Sequence, residues 1–187
     1  VPDPKAWVEL LGAATPPRLT LVLGGARSGK SRLAEKLTRA ALTDQLIPTY
    51  IATAQAWDDE MRARIAQHQH DRGMDWTTIE APHDMPEAIR SSDDAPLLVD
   101  CLTLWLSNRM LAEADLDADR TALLEALASR PASTLLVSNE VGFGIVPETP
   151  LGRRFRDAQG ILNQKIAAAA DCVILTAAGL PLVMKRP

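Results

Sequence analysis

From Arg18 onward, short unbroken apolar runs alternate with longer segments whose apolar positions recur at helical spacing. The runs Leu19–Leu23, Thr49–Thr53, Trp76–Ile79, Leu97–Cys101, Thr134–Ser138, Cys172–Thr176 and Leu182–Lys185 have strand length. Ser31–Leu42 sets Leu33, Leu37 and Ala41 on one helical face, and Asp58–Asp71 does the same with Met61, Ile65 and His68. Pro86–Arg90 and Thr121–Ser129 read as shorter helices. Thr149–Ala170 reads as a long one, with Thr149 as N-cap and Pro150 in the first turn, where its missing N–H costs nothing. Apolar strands separated by helices indicate a mostly parallel sheet covered on both faces. The fold class is α/β, doubly wound, closing on two strands around Ala178-Gly179. Residues 1–18 read as an N-terminal extension, with a short helix over Ala6–Leu11 broken by Pro16-Pro17, and residues 19–187 as a single nucleotide-binding domain.

Composition narrows the function. The chain has 187 residues, about one domain at the usual ~150 each. Apolar types make up 47% and charged types 24%, which excludes a largely disordered chain. Lys and Arg number 20 against 24 Asp and Glu, and a net charge of −4 gives no support to a protein that coats nucleic acid or a membrane surface. No apolar stretch approaches the ~20 residues of a membrane span, and Leu97–Leu106 is interrupted by Asp100. Cys101 and Cys172 each lie inside an apolar run and read as buried thiols, which suits a reducing cytoplasm.

Gly24-Gly25-Ala26-Arg27-Ser28-Gly29-Lys30-Ser31 fits the phosphate-loop pattern G-x-x-x-x-G-K-[ST], directly between a strand and a helix. Glycines there let backbone N–H groups surround phosphate oxygens, Lys30 reaches the β- and γ-phosphates, and the Ser31 hydroxyl can ligate Mg²⁺. Asp100 ends a later apolar strand, where a carboxylate either holds Mg²⁺ or caps the following turn. Arg64, His68 and Arg72 are spaced by four and share a helical face. Flanking guanidiniums would keep the imidazole neutral and nucleophilic, although His68 also continues the apolar stripe of Met61 and Ile65 and fits a core position. His70 points elsewhere on the same helix. Ser138 to Glu148 reads as a glycine-rich active-site loop, with Asn139 and Glu140 at the carboxyl edge of the sheet. Arg153, Arg154 and Arg156 then oppose the dipole of the long helix, which fits either a nearby phosphate or a solvated face with Arg153 paired to Asp157.

Taken in order, these motifs resemble the bifunctional adenosylcobinamide kinase / adenosylcobinamide-phosphate guanylyltransferase family. The likeness runs from about Leu21 to Lys185. It adds Ala34-Glu35, Tyr50-Ile51-Ala52-Thr53-Ala54, Asp58-Asp59-Glu60-Met61, Trp76-Thr77 with Glu80, and Asp100-Cys101-Leu102-Thr103. Asn139-Glu140-Val141-Gly142, Gly144-Ile145-Val146-Pro147, Phe155-Arg156-Asp157 and Asn163-Gln164 complete it. The resemblance implies a P-loop, RecA-like architecture and two reactions: phosphorylation of adenosylcobinamide by ATP or GTP, then transfer of GMP from GTP to adenosylcobinamide phosphate. It implies His68 as the catalytic residue that carries GMP. It also implies nucleotide contacts along Gly24 to Ser31, at Ala52, Thr53 and Ala54, at Gln69, His70, Asp71 and Arg72, and at Glu80 and Asp100. Ser31 and Asp100 are the implied Mg²⁺ ligands, and a cytoplasmic homo-oligomer, a trimer, is the implied assembly. A carboxylate such as Glu80 accepts from guanine N1–H and the 2-amino group, a donor pair that adenine lacks. Asp100 stands where some members carry Glu.

Two other readings share the phosphate loop: a small-molecule kinase without guanylyl transfer, and a nucleotide-dependent switch. No motif identifies the general base of the kinase step, for which Asp58, Asp59 and Asp100 are candidates.

Overall fold

The computed structural model describes residues 5–12, 15–43, 46–56, 59, 62–63 and 75–187. The elements are α1 (Lys5–Leu11), β1 (Leu19–Gly24), α2 (Lys30–Ala40), β2 (Thr49–Ala52), β3 (Thr77–Glu80), α3 (Met85–Ser91) and β4 (Leu97–Asp100). They continue with α4 (Leu102–Leu111), α5 (Leu116–Ser129), β5 (Thr134–Asn139), α6 (Pro150–Ala169), β6 (Cys172–Ala177) and β7 (Leu180–Lys185).

The seven strands form one sheet in the order β3-β2-β4-β5-β1-β6-β7. All neighbours are parallel except β7, which folds back antiparallel on β6. Successive side chains on a strand face opposite ways, and the core divides accordingly. Leu19, Leu21, Ile51, Leu97, Val99, Leu136 and Val173 pack on the face covered by α3, α4, α5 and α6. Val22, Tyr50, Leu98, Leu135, Val137 and Ile174 pack on the other face with α1 and α2. β1 is buried along its whole length because it lies inside the sheet with helices on both sides. The doubly wound expectation holds, as does the closing hairpin.

The helix expected over Ala6–Leu11 spans Lys5–Leu11. Trp7 is fully buried, and its indole N–H donates to Leu37 O at 3.0 Å. The Trp is thus satisfied at both its apolar body and its polar edge.

Two differences from the sequence reading have physical causes. α4 lies where no helix is read, because Leu102, Trp105 and Leu106 are buried together with Thr103 and Asn108, so burial runs around much of its circumference. A helix covered on more than one side loses the polar stripe that reveals it. α5 starts at Leu116 rather than Thr121, since Asp115 caps it by accepting from the N–H groups of Asp117 and Ala118. Strand ends shift by a residue or two: β3 runs over Thr77–Glu80, and β4 stops at Asp100 because Cys101 is already the N-cap of α4. No helix among the described residues is long and apolar enough to cross a membrane.

Both cysteines are free and buried. Burial, and then Asp100, push the Cys101 thiol up to about 12, and burial pushes Cys172 up to about 11.

Trp7→Ala should cost ~3–5 kcal/mol, read from urea unfolding, because it empties a filled site and removes the indole hydrogen bond to Leu37 O. Both thiols should resist iodoacetamide in the folded protein and react once it is unfolded. Their folded values lie above the ordinary 9.0, so the stability they contribute is complete below that pH. It is lost as pH rises through about 11 for Cys172 and about 12 for Cys101, which an alkaline unfolding series would show.

Candidate active site

β1 ends at Gly24, where space is the first constraint. A Cβ on Gly24 would lie 2.4 Å from Ser28 Oγ and 2.6 Å from Thr176 O, so the position admits only glycine without a shift of backbone. The chain then tightens, with Ser28 N–H donating to Gly25 O at 3.3 Å. Arg27 and Gly29 take left-handed φ values of 55° and 95°. Gly29 is the N-cap of α2 and has no side chain to satisfy the first-turn N–H groups, which leaves them to an anion. Lys30 folds back over the loop and donates to Gly25 O at 3.1 Å. The β6–β7 turn supports the loop from outside: Gly179 N–H donates to Ser28 O at 2.9 Å, and a Cβ on Gly29 would lie 3.3 Å from Gly179 Cα.

The sheet register brings further predicted residues to this edge. Ala52, at the end of β2, pairs with Glu80 on one side and Asp100 on the other. Across β5, Asp100 pairs with Val137, while Gly24 pairs with Asn139 two residues on. Two strand spacings, ~10 Å, therefore separate Asp100 from Glu80 and again from β1. The cradle and Glu80 thus stand at opposite ends of one edge, with Asp100 between them. Asp100 Oδ2 accepts from the Tyr50 hydroxyl at 3.3 Å.

Thr53 is fully buried and ties two strand exits together. Its hydroxyl accepts from Cys101 N–H at 2.8 Å and donates to Cys101 O at 2.7 Å. From α4, Asn108 Nδ2 donates to Thr53 O at 2.9 Å and Pro82 O at 3.0 Å, and the Trp105 indole donates to His83 O at 3.0 Å. His83 meets Gln55 at 3.0 Å. The exits of β2, β3 and β4 are thereby fixed on one helix that the sequence pattern hides.

The exit of β5 is held by a buried polar network. Ser138 Oγ donates to Asn163 Oδ1 at 2.7 Å, and Gln159 Nε2 donates to both Ser138 Oγ and Asn163 Oδ1 at 2.9 Å. Asn163 Nδ2 donates to Asn139 O, and Asn139 N–H donates to Thr103 Oγ1. Asn139 Oδ1 and Ser28 Oγ are buried without a partner among the described residues, both at the carboxyl edge. Such orphans suit an edge built for a polar ligand. Arg153 does not pair with Asp157: its guanidinium donates to Pro147 O at 3.0 Å and Glu148 O at 2.7 Å, and Asp157 pairs instead with Arg156.

Of the sequence-predicted residues, Gly24 to Ser31, Ala52 to Ala54, Glu80 and Asp100 share the carboxyl edge. His68, Gln69, His70, Asp71 and Arg72, together with Arg64 and Asp58, lie outside the described residues. Asp59 is exposed and paired with Arg62. The sequence reading missed Asn108, Gln159 and Trp105. A polar residue inside an apolar helical run was the one available signal.

A family model described as cobinamide kinase / cobinamide phosphate guanyltransferase matches residues 20–184. The bifunctional adenosylcobalamin biosynthesis protein CobP of Pseudomonas aeruginosa is 50% identical over 169 residues, covering 88% of this chain and 96% of that protein. The bifunctional adenosylcobalamin biosynthesis protein CobU of Salmonella typhimurium is 40% identical over 185 residues, covering 89% and 99%. Among solved structures, the flagellar accessory protein FlaH of Methanocaldococcus jannaschii aligns with a TM-score of 0.56. Identity is 14%, and the alignment covers 96% of this chain and 83% of that one. That is a likeness of fold alone.

Gly24→Ala should leave the circular-dichroism spectrum unchanged yet weaken nucleotide binding more than tenfold by calorimetry, because the loop must shift. Thr53→Val, which orphans the buried Cys101 N–H, should cost ~1–3 kcal/mol in urea unfolding.

Proposed function

The chain belongs to the cobinamide kinase / cobinamide phosphate guanylyltransferase family, and we propose how its residues divide the two reactions. It is a bifunctional enzyme of cobalamin biosynthesis, an adenosylcobinamide kinase and an adenosylcobinamide-phosphate guanylyltransferase. The observation that carries the assignment of roles is the one edge shared by Gly24, Asp100 and Glu80.

In the kinase step the acceptor hydroxyl attacks the γ-phosphorus, the nucleoside diphosphate leaves, and the hydroxyl proton is lost. Backbone N–H groups from Gly25 to Ser31 and the start of α2 hold the phosphates, and Lys30 leaves Gly25 O to meet their outer oxygens. The Ser31 hydroxyl and Asp100 carboxylate are hard oxygen donors that suit Mg²⁺, which when bound neutralises charge on the β- and γ-phosphates. The Tyr50 hydroxyl holds one oxygen of Asp100 and so orients the other.

In the transfer step a neutral His68 nitrogen attacks the α-phosphorus of GTP and pyrophosphate leaves. A phosphate oxygen of adenosylcobinamide phosphate then displaces the imidazole, giving adenosylcobinamide-GDP. Arg64 and Arg72, spaced by four on either side, support this role: they disfavour protonation of the ring and can pair with phosphate oxygens. Gln69, His70, Asp71 and Ala54 complete the nucleotide contacts, and Glu80 selects guanine. Homo-oligomerisation, as a trimer, belongs to the same reading. Exposed Leu180, Leu182 and Met184 on β7 support a further subunit there.

GTP labelled at the α-phosphate, incubated with Mg²⁺ and no corrinoid, should leave acid-labile, alkali-stable label on the protein. His68→Ala should lose both label and transfer while still phosphorylating adenosylcobinamide. Retention of the label would remove His68 from the reaction. Glu80→Gln should narrow the preference for GTP over ATP by about tenfold, measured as competing kcat/KM values.

A further inference from the structure

The loop between β5 and α6 holds large apolar side chains out in solvent. Phe143 is 84% exposed, Ile145 97% and Val146 58%, and Leu151 on the first turn of α6 is 49% exposed. Isolated apolar residues at a surface are ordinary, but several within one short loop form a patch that calls for an occupant. The loop is also held where it is. Glu140 N–H donates to Gly24 O at 3.1 Å, so its root is hydrogen-bonded to the start of the phosphate loop. Gly142 N–H donates to Glu140 Oε1 at 2.8 Å. At the far end, Arg153 clamps the carbonyls of Pro147 and Glu148, Thr149 caps α6, and Pro147 packs against Gly152. An apolar tip on an anchored frame is presented rather than frayed.

The position of the tip decides the occupant. It rises from the carboxyl edge beside the cradle, where the acceptor hydroxyl must come to be phosphorylated. The acceptor of both reactions is a large macrocycle with methylated faces and a hydroxyl on a flexible arm. It needs an apolar seat within an arm's reach of the γ-phosphate. We propose that Phe143, Ile145 and Val146 form this seat and hold the corrin ring in both half-reactions. The ring stacks against Phe143, and Ile145 and Val146 cover its methylated rim. This deepens the functional reading above and rests on it.

The test uses the full-length enzyme. Phe143→Ser and Ile145→Ser should raise KM about tenfold or more, both for adenosylcobinamide in the kinase reaction and for adenosylcobinamide phosphate in the transfer. KM for GTP and the corrinoid-free labelling of the protein should stay at wild-type levels. Phe143→Leu should recover most of the lost affinity. Thermal unfolding of the variants should match the wild type, because the side chains removed are exposed. Unchanged corrinoid KM values would overturn the proposal. So would an equal loss of corrinoid-free labelling, which would assign the loop to the nucleotide. A shift of the variants to a smaller species in sedimentation would assign the patch to contact between copies of this chain, and would also overturn it. Failure of the wild type to modify any corrinoid would reject the functional reading itself, together with this proposal.

Discussion

The site is organised by how little room there is at the end of β1. Ser28 Oγ and Thr176 O occupy the volume that any side chain on Gly24 would need. That crowding forces the chain to double back, and doubling back turns successive N–H groups inward. The left-handed φ at Gly29 then delivers the chain into α2 with its first-turn donors uncapped. The shape of the cradle is in this sense a by-product of packing. The loop is shaped by its neighbours before any ligand arrives, so little ordering entropy is lost on binding.

The same economy appears at the other strand exits. Thr53 and Asn108 satisfy backbone groups that would be orphaned where β2, β3 and β4 stop pairing. Beneath β5, Asn163 does so at Asn139 O, and Ser138 and Gln159 bond its side chain in turn. A buried polar network is costly when half satisfied and rigid when complete. These networks sit under the carboxyl edge of the sheet and tie down the roots of its loops. The long helix α6 serves both purposes: its middle supplies Gln159 and Asn163, and its first turns clamp the apolar loop through Arg153.

Much of this was legible in the sequence because the signals were local. Uninterrupted apolar strands gave the parallel sheet, the glycine spacing gave the cradle, and Thr149-Pro150 gave the start of α6. What was hidden depended on contacts distant along the chain. The helix over Leu102–Leu111 went unread because a helix buried on several sides shows no polar face. Trp7 carries no mark that its indole will meet Leu37 O, thirty residues on. Arg153 has an acidic residue four positions away, yet two unpaired carbonyls in the preceding loop win its guanidinium. Propensity and spacing describe the immediate neighbourhood, and tertiary hydrogen bonds override them wherever burial makes an orphan expensive.

The bond from Gly179 to Ser28 carries a thermodynamic consequence. A turn that braces the cradle is coupled to whatever fills it, and such coupling is reciprocal. A nucleotide that firms the loop must also firm the β6–β7 hairpin, by the same free energy that docking of the hairpin contributes to nucleotide affinity. Exchange of the amide hydrogens along β7 would then slow as the phosphate loop fills.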